Sequence, residues 1–311
     1  MNAVERDARV ERRKKIMPPI VEGEKIKLKN PVVFLAAQGK CGKLYMARML
    51  KITKGIGMST HEWLVRGMVG GVLWGWTEPT EELLKISPYY KQFSVGSSMQ
   101  RAENVWKSRS LPILYEFTEE GPFIDGESRF IVIYYYLAKK YLHPDSMKII
   151  LMRRPLDSIA YQNCRHGAYS ISTRSDGSII TYTGNLIFPW GNNNLTVMEK
   201  NIKEASPMEC SVWYTYEMEE RKKKLHEYFP EVSIMEWDME TDSFNIQSHE
   251  KLHHWLGVTP HKNYKKLVEK NIIIHLGPDK LKEKCTIEQA REIIKEYKIV
   301  RNPKTRPEFM L

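Results

Sequence analysis

Apolar residues in this chain form short unbroken runs, and these alternate with longer stretches of helical spacing. Residues 31–37 (Pro31-Val32-Val33-Phe34-Leu35-Ala36-Ala37) read as a strand buried on both faces. The run stops at Gln38-Gly39-Lys40-Cys41-Gly42, and residues 43–54 resume with Met46, Met49 and Leu50 in a helical pattern. Leu111 to Phe117 reads as a second strand. Ser128 to Tyr141 predicts a helix that ends before His143-Pro144-Asp145. Lys148 to Met152 is a third strand, closed by Arg153-Arg154-Pro155, and Asp157 to Cys164 opens another helix. Glu199 to Tyr228 is largely helical, Val232 to Trp237 is a further strand, and Ser248 to Leu256 is a helix that Gly257 ends as a C-cap. One more helix follows Thr286. This alternation predicts an α/β fold: a central, mostly parallel sheet with helices on both faces.

Two segments break the rhythm. Residues 58–93 hold Trp63, Trp74, Trp76, Tyr89 and Tyr90 among Gly67, Gly70, Gly71 and Gly75, a pattern for irregular, closely packed helices. Residues 168–195 read as an insertion. Arg174-Ser175-Asp176-Gly177-Ser178 is a turn between Ser/Thr/Ile/Tyr-rich arms, which predicts a hairpin or lid. The organisation that follows is a basic tail over 1–30 and one α/β domain over 31–311.

Composition changes this picture little. A chain of 311 residues with 42% hydrophobic residues has enough for a sizeable core. The net charge of +10 points to anionic partners, although residues 1–30 carry nine Lys/Arg against five Asp/Glu and so hold part of the excess. No nucleic-acid motif or dense basic and aromatic block is present, so nucleic acid is not expected as a partner. Cys41, Cys164, Cys210 and Cys285 lie far apart without a CxxC or zinc spacing, which predicts reduced thiols and no metal. Met1 to Lys15 is charged and lacks the apolar core of a signal peptide. No run of about twenty apolar residues suggests a membrane span. The expectation is a cytoplasmic protein.

The chemistry concentrates at the ends of strands. A strand, a Gly/Lys loop and a helix make an anion cradle, because loop N–H groups and the helix N-terminus converge on one point. The loop is not a Walker A sequence. That motif needs Gly five positions before Gly42, where Ala37 stands, and a hydroxyl after Lys43, where Leu44 stands. An ATP or GTP hydrolase is therefore disfavoured. Two other predicted strand ends carry charge, Glu116 and Arg153. Ligands of open parallel sheets bind at the carboxyl ends of strands. Glu119 and Glu120 rival Glu116.

At these residues the sequence resembles the sulfotransferases that use 3′-phosphoadenosine 5′-phosphosulfate (PAPS). Lys40-Cys41-Gly42-Lys43-Leu44-Tyr45 is similar to their Lys-Ser-Gly-Thr-Thr-Trp loop, which holds the donor's phosphosulfate. Arg153-Arg154-Pro155-Leu156-Asp157 is similar to their Arg-x-Pro-x-Asp segment, whose first Arg contacts the 3′-phosphate. Leu114-Tyr115-Glu116-Phe117-Thr118 resembles the Glu-Lys-Ser/Thr segment of the heparan-sulfate-type branch, where the Glu is the base. The likeness spans roughly residues 31–260. It implies that Gly39, Lys40, Cys41, Gly42, Lys43 and Leu44 hold the phosphosulfate and that Tyr45 stacks near adenine. It also implies that Lys40 offsets leaving-group charge, that Arg153 with Ser158 or Tyr161 meets the 3′-phosphate, and that Glu116 or His61 is the base. The cytosolic branch's Arg-Lys-Gly motif is absent near the C-terminus, and Arg301, Lys304 and Arg306 could take its place by their charge alone. The acceptor would be a small molecule, its walls drawn from residues 63–90 with Tyr169, Tyr182, Phe188 and Trp190. The alternatives are an atypical P-loop kinase and a non-catalytic binder of anionic polymers. The oligomeric state and the choice of hydroxyl or amine stay open.

Overall fold

The computed structural model describes residues 19–21, 23–60, 103–104, 106–126, 130–167, 170–173, 179–182, 194–200, 204–269 and 285–303. Its centre is a five-stranded sheet of β1 (Val32–Ala36), β2 (Met58–Thr60), β3 (Phe123–Asp125), β4 (Met147–Arg153) and β8 (Ser233–Asp238). The order is β2-β3-β1-β4-β8 and every pairing is parallel. β1 is central because its five residues are all buried and apolar, so both faces need cover. Its register with β4 runs from Val32↔Met147 to Ala36↔Leu151.

The strands' period-2 alternation sorts side chains into two cores. Val32, Phe34, Ile149 and Leu151 join one cluster with α3 (Tyr135–Tyr141) and α5 (Pro207–Tyr228). Within it Phe34 stacks on Phe130 with ring centroids 4.3 Å apart. Val33, Leu35, Ile150 and Met152 join the other cluster, with α1 (Lys43–Lys51) and α6 (Ile246–Leu256). The fold is thus α/β, with helices on both faces of a parallel sheet, as the alternation predicts. A third, smaller cluster packs α4 (Leu156–Arg165) and α5 against α8 (Ile287–Glu296). The insertion does contain a hairpin: β5 (Ser170–Thr173) pairs antiparallel with β6 (Ile179–Tyr182), while its turn at 174–178 lies outside the described residues. β7 (Thr196–Val197) pairs antiparallel with β9 (Val300–Arg301).

One predicted strand is wrong. Leu111–Phe117 is an α-helix, α2, entered from a π-helical turn at Trp106–Ser110. Pro112 explains it: proline sets a helical φ at the first turn and has no N–H for a ladder. Leu111 to Ile113 and Leu114 are buried in succession, not alternately. The helix foreseen from Glu199 begins at Pro207, where Ser206 and Glu209 form a reciprocal capping box. Residues 43–54 stop being helical at Lys51. Gly257 does cap α6, with φ 71°.

Candidate active site

The loop after β1 closes on itself. Lys40 (φ 66°) and Gly42 (φ 84°) are both left-handed and bracket Cys41. α1 starts at Lys43 with neither a capping side chain nor an acidic residue in its first turn. A helix start of this kind favours an anion. Lys43 is only 3% exposed and turns inward, its Nζ donating to the carbonyls of Ala37 (2.9 Å) and Gln38 (3.3 Å). It braces the loop's shape. The Cys41 thiol is fully buried and donates to Met152 O at 3.5 Å. Burial pushes its pKa up, with Lys222 the strongest opposing charge. Cys41 therefore offers a ligand its backbone, not its sulfur.

Helix α5 runs beneath the loop. Tyr214 Oη accepts the Gly39 N–H at 3.3 Å, and Gln38 Nε2 donates to Glu219 Oε1 at 3.1 Å. The same Glu219 oxygen accepts from Lys222 Nζ at 2.5 Å, and that ammonium also donates to Met152 O at 2.8 Å. A second loop follows β4. Arg154 Nη1 donates to Lys40 O at 3.1 Å, so the two strand-end loops are tied together. Arg153 is 56% exposed and pairs with Glu236 at 2.9 Å. Pro155 then starts α4. Beside these loops a cavity of about 600 Å³ is lined by Arg153, Arg154, Glu219, Lys222, Lys223 and His226, among others.

The strand order explains why this end is concave. From β1 the chain goes to β2 on one side of the sheet, and from β4 to β8 on the other. Connections that diverge from adjacent strands leave a crevice at their carboxyl ends. The β1 and β4 loops flank that crevice.

Not every predicted site residue is gathered here. Lys40, Gly42 and Leu44 stand at the loop and the first turn of α1, with Arg153 opposite. Tyr45 is half-buried, its hydroxyl donating to Ser243 O at 2.9 Å, and burial pushes its pKa up to about 12. Ser158 lies in the first turn of α4, its N–H bonded to Asp157 Oδ1 at 2.7 Å. Tyr161 packs against the third cluster, beside α8. Arg301 pairs with Glu220 at 3.3 Å.

The strand-end placement of Glu116 is corrected. It sits in the last turn of α2, which runs into the turn before β3. Thr118 O accepts from Asn30 Nδ2, Glu119 pairs with Lys29, and Pro122 O accepts the Gly57 N–H. Pro122 and Gly57 immediately precede β3 and β2, and Asn30 stands two residues before β1, so this is the amino-terminal edge of the sheet. The Lys40–Gly42 loop is at the other edge, across a strand of about 16 Å. His61, residues 63–90, Tyr169, Phe188, Trp190, Lys304 and Arg306 lie outside the described residues, as does the tail before residue 19.

Sequence reasoning did not single out Lys222, Glu219 or Gln38, because it read 199–228 only as a largely helical stretch. A signal was present. Tyr214, Met218 and Lys222 recur every fourth residue, in phase with Leu225, so Lys222 occupies a core-facing position. Among the described residues no group of His, Cys, Asp and Glu is arranged to hold a metal ion, and no helix is long and apolar enough to cross a membrane.

No family model and no curated protein matches this chain. Among solved structures it is similar to the sulfotransferase domain of the Synechococcus PCC 7002 olefin synthase, at 11% sequence identity and a TM-score of 0.45, over 94% of this chain and 92% of that one. At that distance the likeness lends no residue role to this protein.

Proposed function

We propose that this protein is a sulfotransferase that moves the sulfuryl group of PAPS to a hydroxyl or amine of a small-molecule acceptor. The observation that carries the reading is the kinked, uncapped loop at Lys40–Gly42, set at the sheet's crevice and tied to the Arg153-Arg154 loop. That pairing suits a ligand with two anionic ends: a phosphosulfate on the start of α1 and a 3′-phosphate against the Arg153 fork. The loop sequence, Lys40-Cys41-Gly42-Lys43, supports the sulfuryl donor over ATP because no hydroxyl follows Lys43 to hold magnesium.

Transfer requires acceptor, sulfur and leaving oxygen in line. The acceptor oxygen or nitrogen attacks sulfur, the sulfur–oxygen bond to the nucleotide breaks, and the leaving 3′,5′-diphosphoadenosine takes up charge that Lys40 offsets. The acceptor's proton needs a base. With Glu116 at the opposite edge of the sheet, His61, the other candidate base, is proposed for this role.

Calorimetric titration with 3′,5′-diphosphoadenosine tests the reading. Tight binding is expected without magnesium, and Lys40→Ala and Arg153→Ala are each expected to weaken it about 10- to 100-fold. Binding of magnesium-ATP in place of the diphosphonucleotide would instead establish the kinase.

A further inference from the structure

We propose that Lys222, carried by α5 and not by either loop, is the buried cation of this anion site, and that it grips a phosphate of the ligand. The inference rests on the PAPS reading for the ligand's name, but not for the presence of an anion. In the site's loop, Lys43 is one of the residues that the sequence resemblance assigns to the phosphosulfate. Its ammonium instead braces the carbonyls of Ala37 and Gln38. Lys222 is 4% exposed yet lines the cavity enclosed by the Arg153–Pro155 loop, α5 and Asp238 at the end of β8. Among the described residues its three N–H donors meet two acceptors, Met152 O and Glu219 Oε1. A third donor on a buried ammonium beside a cavity is a place for an oxyanion.

The neighbours favour the same occupant. Arg153, Arg154, Lys223 and His226 share the cavity with Lys222, against Glu219 and Asp238. Both acids are already engaged. Glu219 accepts from Gln38 and Lys222, and Asp238 Oδ1 accepts the N–H groups of Glu240 (2.7 Å) and Thr241 (3.0 Å). Met152 O joins Lys222 to the loop directly, because it also accepts from the Cys41 thiol. Burial strengthens the arrangement, since a charge in a low-dielectric setting is screened less. A hydrated surface lysine would lose more on leaving water to reach a phosphate.

Glu219 makes the proposal testable by sign. Its Oε1 takes both hydrogen bonds, so Glu219→Gln retains an acceptor for Gln38 and Lys222 while removing one negative charge from the site. Wild type, Lys222→Met and Glu219→Gln would be titrated with 3′,5′-diphosphoadenosine and, separately, with inorganic pyrophosphate, with thermal unfolding recorded for each. Lys222→Met is expected to bind both anions about 10- to 100-fold more weakly. Glu219→Gln is expected to bind them at least as tightly as wild type, which also serves if Lys222→Met fails to fold. Nucleotide binding unchanged in Lys222→Met, or weakened in Glu219→Gln, would overturn the inference and leave the donor reading standing. Pyrophosphate binding that depends on Lys222, with no binding of the nucleotide, would support the inference and sink the donor reading.

Discussion

Lys40 holds φ at 66°, a left-handed conformation that costs a residue with a Cβ on the order of 1 kcal/mol. The loop keeps a lysine there although glycine would relieve the strain, so stability and the proposed anion binding pull in opposite directions at this position. Lys40→Gly is expected to be about 1 kcal/mol more stable in urea unfolding than Lys40→Ala, while both lose nucleotide affinity alike. Equal stabilities would show that the backbone there is not strained. Gly42 differs. Its φ is 84°, and a Cβ would stand 2.3 Å from Met239 Cε. Met239 can swing aside, but the backbone angle cannot relax without opening the helix start. Gly42→Ala is expected to cost about 1–2 kcal/mol and to weaken 3′,5′-diphosphoadenosine binding, read by denaturation and titration on the same sample. The sequence announced both residues because Gly and Lys after a buried strand are local signals. It gave no such notice of Glu219, whose role comes from a helix far along the chain meeting Gln38 in space.

At the scale of elements, α6 is locked to its surroundings by two buried histidines in place of apolar side chains. His249 lies edge-on to Trp237 and its Nε2 donates to Ser243 O at 3.2 Å. His253 Nδ1 donates to His249 O at 2.6 Å, which leaves Nε2 to accept from the Thr53 hydroxyl at 3.2 Å. Tyr264, Asp242 and Glu250 complete the surroundings. Burial lowers both pKa values, more than the nearby carbonyls and carboxylates raise them. A histidine depressed in the folded state is neutral there while the unfolded chain takes up protons below about pH 6.5. Its stabilising contribution is therefore present above the unfolded pKa and is lost as pH falls toward the folded value. The urea midpoint is expected to drop as pH falls below about 6.5, and His249→Gln with His253→Gln should flatten that slope. A slope unchanged in the double variant would place the titration elsewhere. The elements themselves were legible where a cap or periodicity marked them, as at Gly257 and Thr286, whose side chain closes a capping box with Gln289. Leu111–Phe117 was not, because a seven-residue apolar run fits a strand and a buried helix equally well by pattern.

At the scale of the whole molecule, that one misread element moves a candidate base across the sheet. As a strand, residues 111–117 would have carried Glu116 to the carboxyl edge beside Lys40 and Arg153. As a helix leading into the amino-terminal turn of β3, they leave it beside Thr118 and Glu119, which contact Asn30 and Lys29 just ahead of β1. The order β2-β3-β1-β4-β8 could not be read from the chain, since it depends on which strands the crossovers skip. Yet it alone decides that the β1 and β4 loops share a crevice. Mutation can separate the two edges. If the crevice is the reaction site, Glu116→Gln should release 3′,5′-diphosphoadenosine from PAPS at a rate within about two-fold of wild type, because a group across the sheet supplies no proton transfer. His61→Ala should slow the same release by about 100-fold or more with nucleotide affinity retained, and Lys40→Ala should lose both. A large loss in Glu116→Gln with binding intact would return the base to the heparan-sulfate-type position and require the carboxyl edge to be reached from α2 by a rearrangement of the chain.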